Sequence, residues 1–371
     1  MKSTIDVDYI VLSDVHLGHK RTPTAHIIDN LKATVGPLFK NKLDIIFIAG
    51  DLFDRLLDKS MDDVSDIDKW LFWLFYNCQQ HSVKLRILEG TPSHDWKQSR
   101  HIKTILDISC LSVDFQYISA LSIEIMEDLG ISILYVPDEW NESTEETLTQ
   151  VKGLLADNHL NTVDIAIMHG QFAYQIPQAP ATIPRHSELD YLSIVKHFIH
   201  IGHVHSFSVF ERIIAQGSLD RLAHGEEEPK GLVWAHITNN DRSFHFIENK
   251  NAMIYKTINL RGSTIEEVLE YLDKKILSLP EGSFIRLNGK EDHIGFSYFR
   301  EIKTRYLMYT ISRKSEEVIT NNIVDIGVLN DYQSFSITPD NIEGLLRSTI
   351  ESKYPFEEKH WGYFKETINS I

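Results

Sequence analysis

Ile45-Ile46-Phe47-Ile48-Ala49-Gly50-Asp51-Leu52-Phe53-Asp54 is the stretch that decides how this chain folds. A short apolar, β-branched run closed by glycine reads as a buried strand. Gly50 lets the backbone turn tightly, and two carboxylates follow the turn at once. Asp51 has two oxygens and is suited to bridging two cations.

The same arrangement recurs along the chain. Asp14 and His16 follow the run Tyr9 to Leu12, and His94 and Asp95 follow Leu85 to Gly90. His169 closes Ile165 to Met168, and His203 and His205 follow His197 to Gly202. A sixth run, Val209 to Gln216, ends on Gly217-Ser218 and reads as a neighbouring loop. In layered α/β sheets, function gathers at the carboxyl ends of strands. Strands lying side by side would bring these aspartates and histidines to one rim, which is how a two-metal hydrolase is built. The pairs Asp14/His16 and His203/His205 are two residues apart, a spacing that points both side chains to one side. Mixed Asp and His ligands suit manganese, iron or zinc better than calcium. A lone Asp-x-His arises easily by chance. The signal is the full set in order, each member behind a strand.

With 371 residues the chain is long enough for two domains, or one large domain with an appendage. No stretch of about 18 apolar residues suggests a membrane span. The N-terminus lacks the apolar core of a signal peptide. Cys78 and Cys110 sit in hydrophobic contexts and read as buried free thiols, in keeping with a reducing cytoplasm. The net charge of −16 argues against a protein that grips DNA through its overall field, though not against a nuclease. Bound divalent cations or a partner can supply positive charge. Of the 18 histidines, only those at strand ends carry a functional expectation. His19, His101, His159, His186, His200, His224 and His236 read as polar surface or supporting residues.

Residues 1 to about 240 alternate strand-like and helix-like segments. Thr24 to Lys40 has helical apolar spacing, interrupted at Gly36-Pro37. Asp62 to Gln80 carries Trp70, Leu71, Trp73, Leu74 and Phe75, more apolar surface than one helix face needs. It reads either as a core helix or as part of a homodimer interface. Ser143-Thr144-Glu145-Glu146 and Ser263-Thr264-Ile265-Glu266 read as capping boxes opening helices. After about residue 250 the pattern becomes β-α-β-β: strands at Met253–Leu260, Phe284–Leu287 and Tyr306–Ile311, with one helix after the first. Pro339 to Ile371 reads as one or two helices with an aromatic-rich end: Tyr354, Phe356, Trp361, Tyr363 and Phe364.

In this order, Asp-x-His, Gly-Asp-x-x-Asp, Gly-(…)-His-Asp, His-Gly and Gly-His-x-His resemble the calcineurin-like metallophosphoesterases. Where that family carries Gly-Asn-His-Asp, this chain reads Gly90-Thr91-Pro92-Ser93-His94-Asp95. Two residues are added, and Ser93 stands where the asparagine ligand is expected. The segment Gln216-Gly217-Ser218-Leu219-Asp220-Arg221 through Gly225-Glu226-Glu227 to Lys230-Gly231 is similar to the one closing the nuclease domain in SbcD-type DNA repair exonucleases of bacteria and phages. The motif resemblance covers about residues 7 to 240.

The resemblance implies a layered α/β fold, a metallophosphoesterase β-sandwich flanked by helices. It divides the chain into a nuclease domain at 1–245, a small α+β capping domain for DNA recognition at 250–335, and C-terminal helices at 339–371. These helices would dock on an SbcC-type coiled-coil ATPase. Asp14, His16, Asp51 and His205 would hold a first divalent ion, with manganese the first choice. Asp51, Ser93, His169 and His203 would hold a second. A hydroxyl is a poorer ligand than an amide carbonyl, so Ser93 implies weaker or water-mediated binding there. His94 would be the non-ligand histidine that helps the leaving oxygen depart, oriented by Asp95. Asp54 would brace the site. The implied activity is metal-dependent cleavage of DNA, exonuclease alone or exonuclease and endonuclease, in double-strand-break repair or recombination. The alternatives are a phosphoesterase for small phosphodiesters or phosphoproteins, and a weakly active scaffold for an ATPase. Tyr174, Gln178 and Arg185, in the loop after His169, either shape a substrate cleft or pack the loop. His224 and Arg185 are further candidates for touching DNA.

Overall fold

A computed structural model describes residues 4–315, apart from 59–61, 97, 139–140, 142 and 177–182. The chain divides into two compact units, Met1–Glu316 and Glu317–Ile371. The expected C-terminal helices at 339–371, and Gln178, therefore lie outside the described residues.

Two six-stranded mixed sheets form the body. In chain order the first four strands are β1 (Asp6–Leu12), β2 (Ile45–Ala49), β3 (Lys84–Leu88) and β4 (Phe115–Ile118). They run parallel to one another. Strands β5 (Ser122–Met126), β6 (Ile131–Val136), β7 (Val163–His169), β8 (Val195–Gly202), β9 (Ser208–Phe210) and β10 (Ile213–Ala215) make the second sheet, in the order β5-β6-β7-β8-β10-β9. Strands β11 (Gly231–Thr238) and β12 (Arg242–Glu248) return to the first sheet and add antiparallel to the free edge of β1.

Burial on both faces explains the unbroken apolar runs. Successive side chains of a strand point to opposite faces. On β1, Tyr9 and Val11 pack between the sheets with Phe47, Ile133, Tyr135, Ile165 and Ile167. Ile10 and Leu12, between them in sequence, face the other way. There they meet α1 (Thr24–Val35), α2 (Asp62–His81) and α4 (Ser99–Ser109). A short helix, α3 (Pro92–Asp95), precedes α4. The outer face of the second sheet is covered by α5 (Thr144–Asp157) and α6 (Glu188–Ile194). The result is a layered α/β sandwich, helix–sheet–sheet–helix.

Local sequence sets the helix ends. Ser143 caps α5 by accepting the Glu146 N–H. α1 stops at Gly36-Pro37, where a 3-10 turn takes over. On α2, Trp70, Leu71, Leu74 and Phe75 are buried, while Phe72 and Tyr76, one turn apart, stand exposed. Cys78 is buried as expected, but Cys110 is exposed. It ends α4 in a left-handed conformation, φ 54°, and Leu111 and Val113 after it pack against the core without it.

Strands β13 (Tyr255–Asn259), β14 (Phe284–Gly289) and β15 (Thr310–Ser315) form a separate three-stranded parallel sheet. It carries α7 (Ile265–Ile276), α8 (Ile294–Ser297) and α9 (Phe299–Arg305) over its own core. This corrects the expected β-α-β-β, α+β unit in three ways. Helices cross over before both later strands, so all three strands are parallel. The last strand begins at Thr310, not Tyr306. Leu307 and Met308 are 79% and 57% exposed in a turn, so the apolar letters that suggested a strand are not a buried run. The capping box is shifted by one residue: Thr264 caps α7, and Glu267 returns the bond. The small sheet meets the body through the Tyr255 hydroxyl, 3.0 Å from that of Thr22.

Candidate metal centre

Five loops at carboxyl ends of strands converge where the two sheets lie face to face. β1 delivers Asp14 and His16, β2 delivers Asp51, and β3 delivers Thr91 and His94. β7 ends on His169, and β8 runs into His203 and His205. Backbone bonds lace the first two loops together. Asp14 N–H donates to Gly50 O at 3.1 Å, and Val15 and His16 N–H both donate to Asp51 O at 2.9 and 3.1 Å. The turns are tight enough that four of the delivered residues sit at positive φ: Asp14 at 49°, His16 at 54°, Asp51 at 50° and His203 at 102°. Such backbone is uncommon outside glycine and gathers at functional sites. Gly50 is required for a second reason: a Cβ there would lie 2.1 Å from His169 Nδ1.

Asp51 is the hub. Its Oδ1 lies 3.3 Å from His169 Nε2, while its Oδ2 lies 3.0 Å from His94 Nδ1 and 4.0 Å from His16 Nε2. On the other side His205 Nε2 stands 3.2 Å from His16 Nε2 and 3.9 Å from Asp14 Oδ1. Asp14 also accepts the Ser13 hydroxyl at 2.5 Å and the His203 N–H at 2.9 Å. Donor atoms that share a cation at about 2.0–2.2 Å lie roughly 3 to 4 Å from one another. Asp14, His16 and His205 gather their donor atoms within 4.8 Å of one another, as do His16, Asp51 and His94, and Asp51, His169 and His203, close enough for each group to draw in around an ion. The donor set, carboxylate oxygen with imidazole nitrogen, fits a first-row divalent ion.

Charge follows the same geometry. Burial would raise the Asp51 carboxyl, but the His169 charge and the bonds from His169 and His94 hold it well below its ordinary value. Burial opposes a charge on His169; Asp51 overcomes this and raises its pKa to about 10. His203, buried beside His169, is pushed down to about 4. His169 Nδ1 is 2.9 Å from the Ala49 carbonyl, so Nε2 is the atom turned to the centre.

Two expectations are corrected. Asp95 does not hold His94. Its carboxylate is buried and accepts backbone N–H groups of Phe53 and Gly90 at 3.0 and 2.9 Å, stapling the β2 and β3 loops together. Burial, with Asp51 close by, raises its pKa to about 7. Ser93 does not face the centre; it is exposed on α3. Thr91 takes that place. Its N–H and hydroxyl reach Asp51 at 2.6 and 3.1 Å, and the hydroxyl is 3.5 Å from His169 Nε2. Thr91, directly after Gly90, was the available signal. Asp54 Oδ1 lies 3.4 Å from His16 Nδ1, behind the ring. Sequence reasoning also assigned no role to Glu226, whose carboxylate is 2.9 Å from His205 Nδ1. In the loop after His169, Tyr174 stacks on Phe210 at 5.1 Å and its hydroxyl is 3.2 Å from that of Ser208, which is packing. The His224 ring lies against Tyr255 at 5.2 Å.

Beside the centre, the loop after His16 opens into a cavity of about 470 Å³. His19, Lys20, Arg21 and Arg55 line it, with Asp63 and Asp66. No helix among the described residues is long and apolar enough to cross a membrane.

No family model matches this chain, and no curated protein matches it. Solved structures do match, 47 chains in all. One of them aligns with a TM-score of 0.38 at 10% identity, over 66% of this chain and 100% of its own. A likeness of that size carries no argument about function.

Proposed function

We propose that this chain is a metal-dependent phosphodiesterase that cleaves DNA, the nuclease subunit of an SbcD-type repair or recombination complex. The observation that carries the proposal is Asp51. One of its oxygens is turned to His169 and the other toward His16 and His94. Asp51 would serve two divalent ions, with Asp14, His16 and His205 holding one and His169, His203 and the Thr91 hydroxyl the other. A pair of divalent ions, manganese in this reading, supplies an activated water and charge neutralisation at a phosphoryl group. The chain's own residues do the rest. The loops after β1, β2, β7 and β8 would hold the ions at the mouth of the strands. His94, part-exposed and beside the centre, is placed to give a proton or hydrogen bond to a departing sugar oxygen.

Polyanion binding is supported by where the positive charge lies. In a chain of net charge −16, Lys20 and Arg21 stand in one cavity after His16, whose lining also holds Arg55 paired with Asp63, and Asp66. Local basic charge of this kind positions phosphates without making the whole surface attractive to DNA. The reading includes an ATPase partner docked on 339–371.

The test is manganese-dependent degradation of linear duplex DNA by the purified chain, with and without chelator, beside a small aryl phosphodiester. DNA cleavage abolished by chelator and by Asp51→Asn is the expected result. Turnover of the small diester with no cleavage of DNA would transfer the assignment to a small-substrate phosphoesterase. Turnover of neither, with or without an ATPase partner, would end the enzymatic reading.

A further inference from the structure

We propose that Glu226 is a positioning residue of the metal centre: it holds the His205 ring by Nδ1 so that Nε2 is presented to the cation, and buried Lys230 locks both. The inference rests on the two-metal reading above and adds a residue to it.

The geometry is closed on every side. Glu226 Oε1 is 2.9 Å from His205 Nδ1, and the opposite ring nitrogen faces His16 and Asp14. With the carboxylate as acceptor, the proton sits on Nδ1 and Nε2 keeps its lone pair for a cation. The second carboxylate oxygen is also engaged. Oε2 accepts the Leu222 N–H at 3.1 Å and lies 3.3 Å from Lys230 Nζ. The carboxylate therefore cannot swing away from His205 without breaking other bonds.

Lys230 fixes the same histidine from its backbone. Its side chain is 1% exposed, and its ammonium donates to the His205 carbonyl at 2.9 Å and to Glu228 at 2.7 Å. The Ser218 N–H donates to the same carbonyl at 3.0 Å. A buried ammonium is retained only when paired and hydrogen-bonded. Here Glu228 already pairs it. Glu226 is thus a second carboxylate for one lysine, and its surplus negative charge is directed at His205 and whatever His205 holds. By contrast, His169 is oriented by the neutral Ala49 carbonyl. A carboxylate behind an imidazole raises its basicity as a ligand, which a carbonyl does less well.

The test uses the full chain and manganese alone, followed by calorimetry, with Glu226→Ala and Glu226→Gln. Glu226→Ala is expected to weaken the site containing His205 by about 10- to 100-fold. Glu226→Gln, which can still accept from Nδ1 but lacks the charge, is expected to recover part of that loss. A purely structural role would lower the melting temperature of the metal-free protein without this graded order in affinity. Manganese binding as tight in both variants as in the wild type overturns the inference and leaves the two-metal reading standing. If Glu226→Ala does not fold, Glu226→Met, close in size and unable to accept from Nδ1, takes its place, and wild-type affinity in that variant overturns the inference. Wild-type protein that takes up no manganese overturns the two-metal reading itself, and this inference with it.

Discussion

The Nε2 atoms of His16 and His205 face each other across 3.2 Å. Each ring has an acid at its back: Asp54 is 3.4 Å from His16 Nδ1, and Glu226 is 2.9 Å from His205 Nδ1. If both rings are neutral with their Nδ1 protons turned to these acids, two lone pairs face each other, and either one shared proton or a cation between them relieves the repulsion. The four groups form a line, acid–imidazole–imidazole–acid, whose centre is the natural seat of a positive charge.

Asp51→Asn should therefore remove more metal than any other single substitution. The variant keeps the shape and loses the charge that both halves of the centre share. Metal analysis after equilibration with manganese should fall from two ions per chain to one or none, whereas His205→Ala should lose one. Two ions retained in Asp51→Asn would mean that Asp51 does not bridge.

Metal uptake should release protons. His169 keeps its proton to about pH 10 beside Asp51, so at neutral pH a cation must displace it. His203, pushed down to about 4, has none to give. Affinity should then rise with pH, with a slope approaching one proton per unit from His169 across the neutral range. Calorimetry in buffers of different ionisation enthalpy measures the number released. A value of zero would take His169 out of the ligand set.

His94→Ala should fold, take up manganese and lose most cleavage. General acid–base groups typically contribute about 10²–10⁴-fold. His94 is less buried than His16, His169 or Asp51, and its removal opens no core cavity. Unchanged turnover would remove it from the chemistry. Lost metal would make it a ligand.

Acid should destabilise the fold well above the carboxylate range. Burial lowers the pKa of His200 to about 3 and of His186 to about 4. Both are neutral when folded, while unfolded histidine takes a proton near 6.5. The unfolded state thus binds more protons between those values, and stability is lost as pH falls from 6.5 toward 4. His203, also near 4, adds to the loss; Asp95, raised to about 7, offsets about one histidine's share between pH 7 and 4; His169, with its raised pKa, acts in the other direction only above 6.5. The loss should be on the order of 1 kcal/mol per pH unit for each buried histidine. Urea midpoints of the metal-free protein at pH 7 and pH 5 decide it; equal midpoints would contradict the burial of these two rings as neutral groups.

Truncation before Pro339 should leave manganese-dependent nuclease activity and abolish co-purification with an ATPase partner. Tyr354, Phe356, Trp361, Tyr363 and Phe364 are the anchors this expectation rests on. Intact partner binding would contradict docking. Insolubility would show that these aromatics belong to the core of the chain.

The body of the fold was legible because its strands are buried twice over. A run such as Tyr9 to Leu12 feeds two cores at once, so no residue in it tolerates polarity. The small sheet was less so. α8 spans only Ile294–Ser297 and α9 only Phe299–Arg305, too short to establish a helical period, and Leu307 and Met308 mimicked a strand while lying in a turn. At the centre, chain order showed which loops would meet, since each follows a strand. It did not show which atom would face inward. Asp95 is next to His94 in sequence yet turns to the β2 loop, and Thr91 reaches Asp51 while Ser93, one step into the short helix Pro92–Asp95, is exposed. Glu226 reaches His205 from a separate segment, and nothing local to either residue announces the contact.

The left-handed backbone at Asp14, His16, Asp51 and His203 has a consequence for how this chain can be improved. Glycine would sit in those conformations with less strain. A search for thermostable variants that scored melting alone, in chelator, would tend to erode the ligand set one residue at a time and register each loss as progress. Stability screens on this protein should therefore be run with a divalent metal present, so that occupancy and folding are selected together.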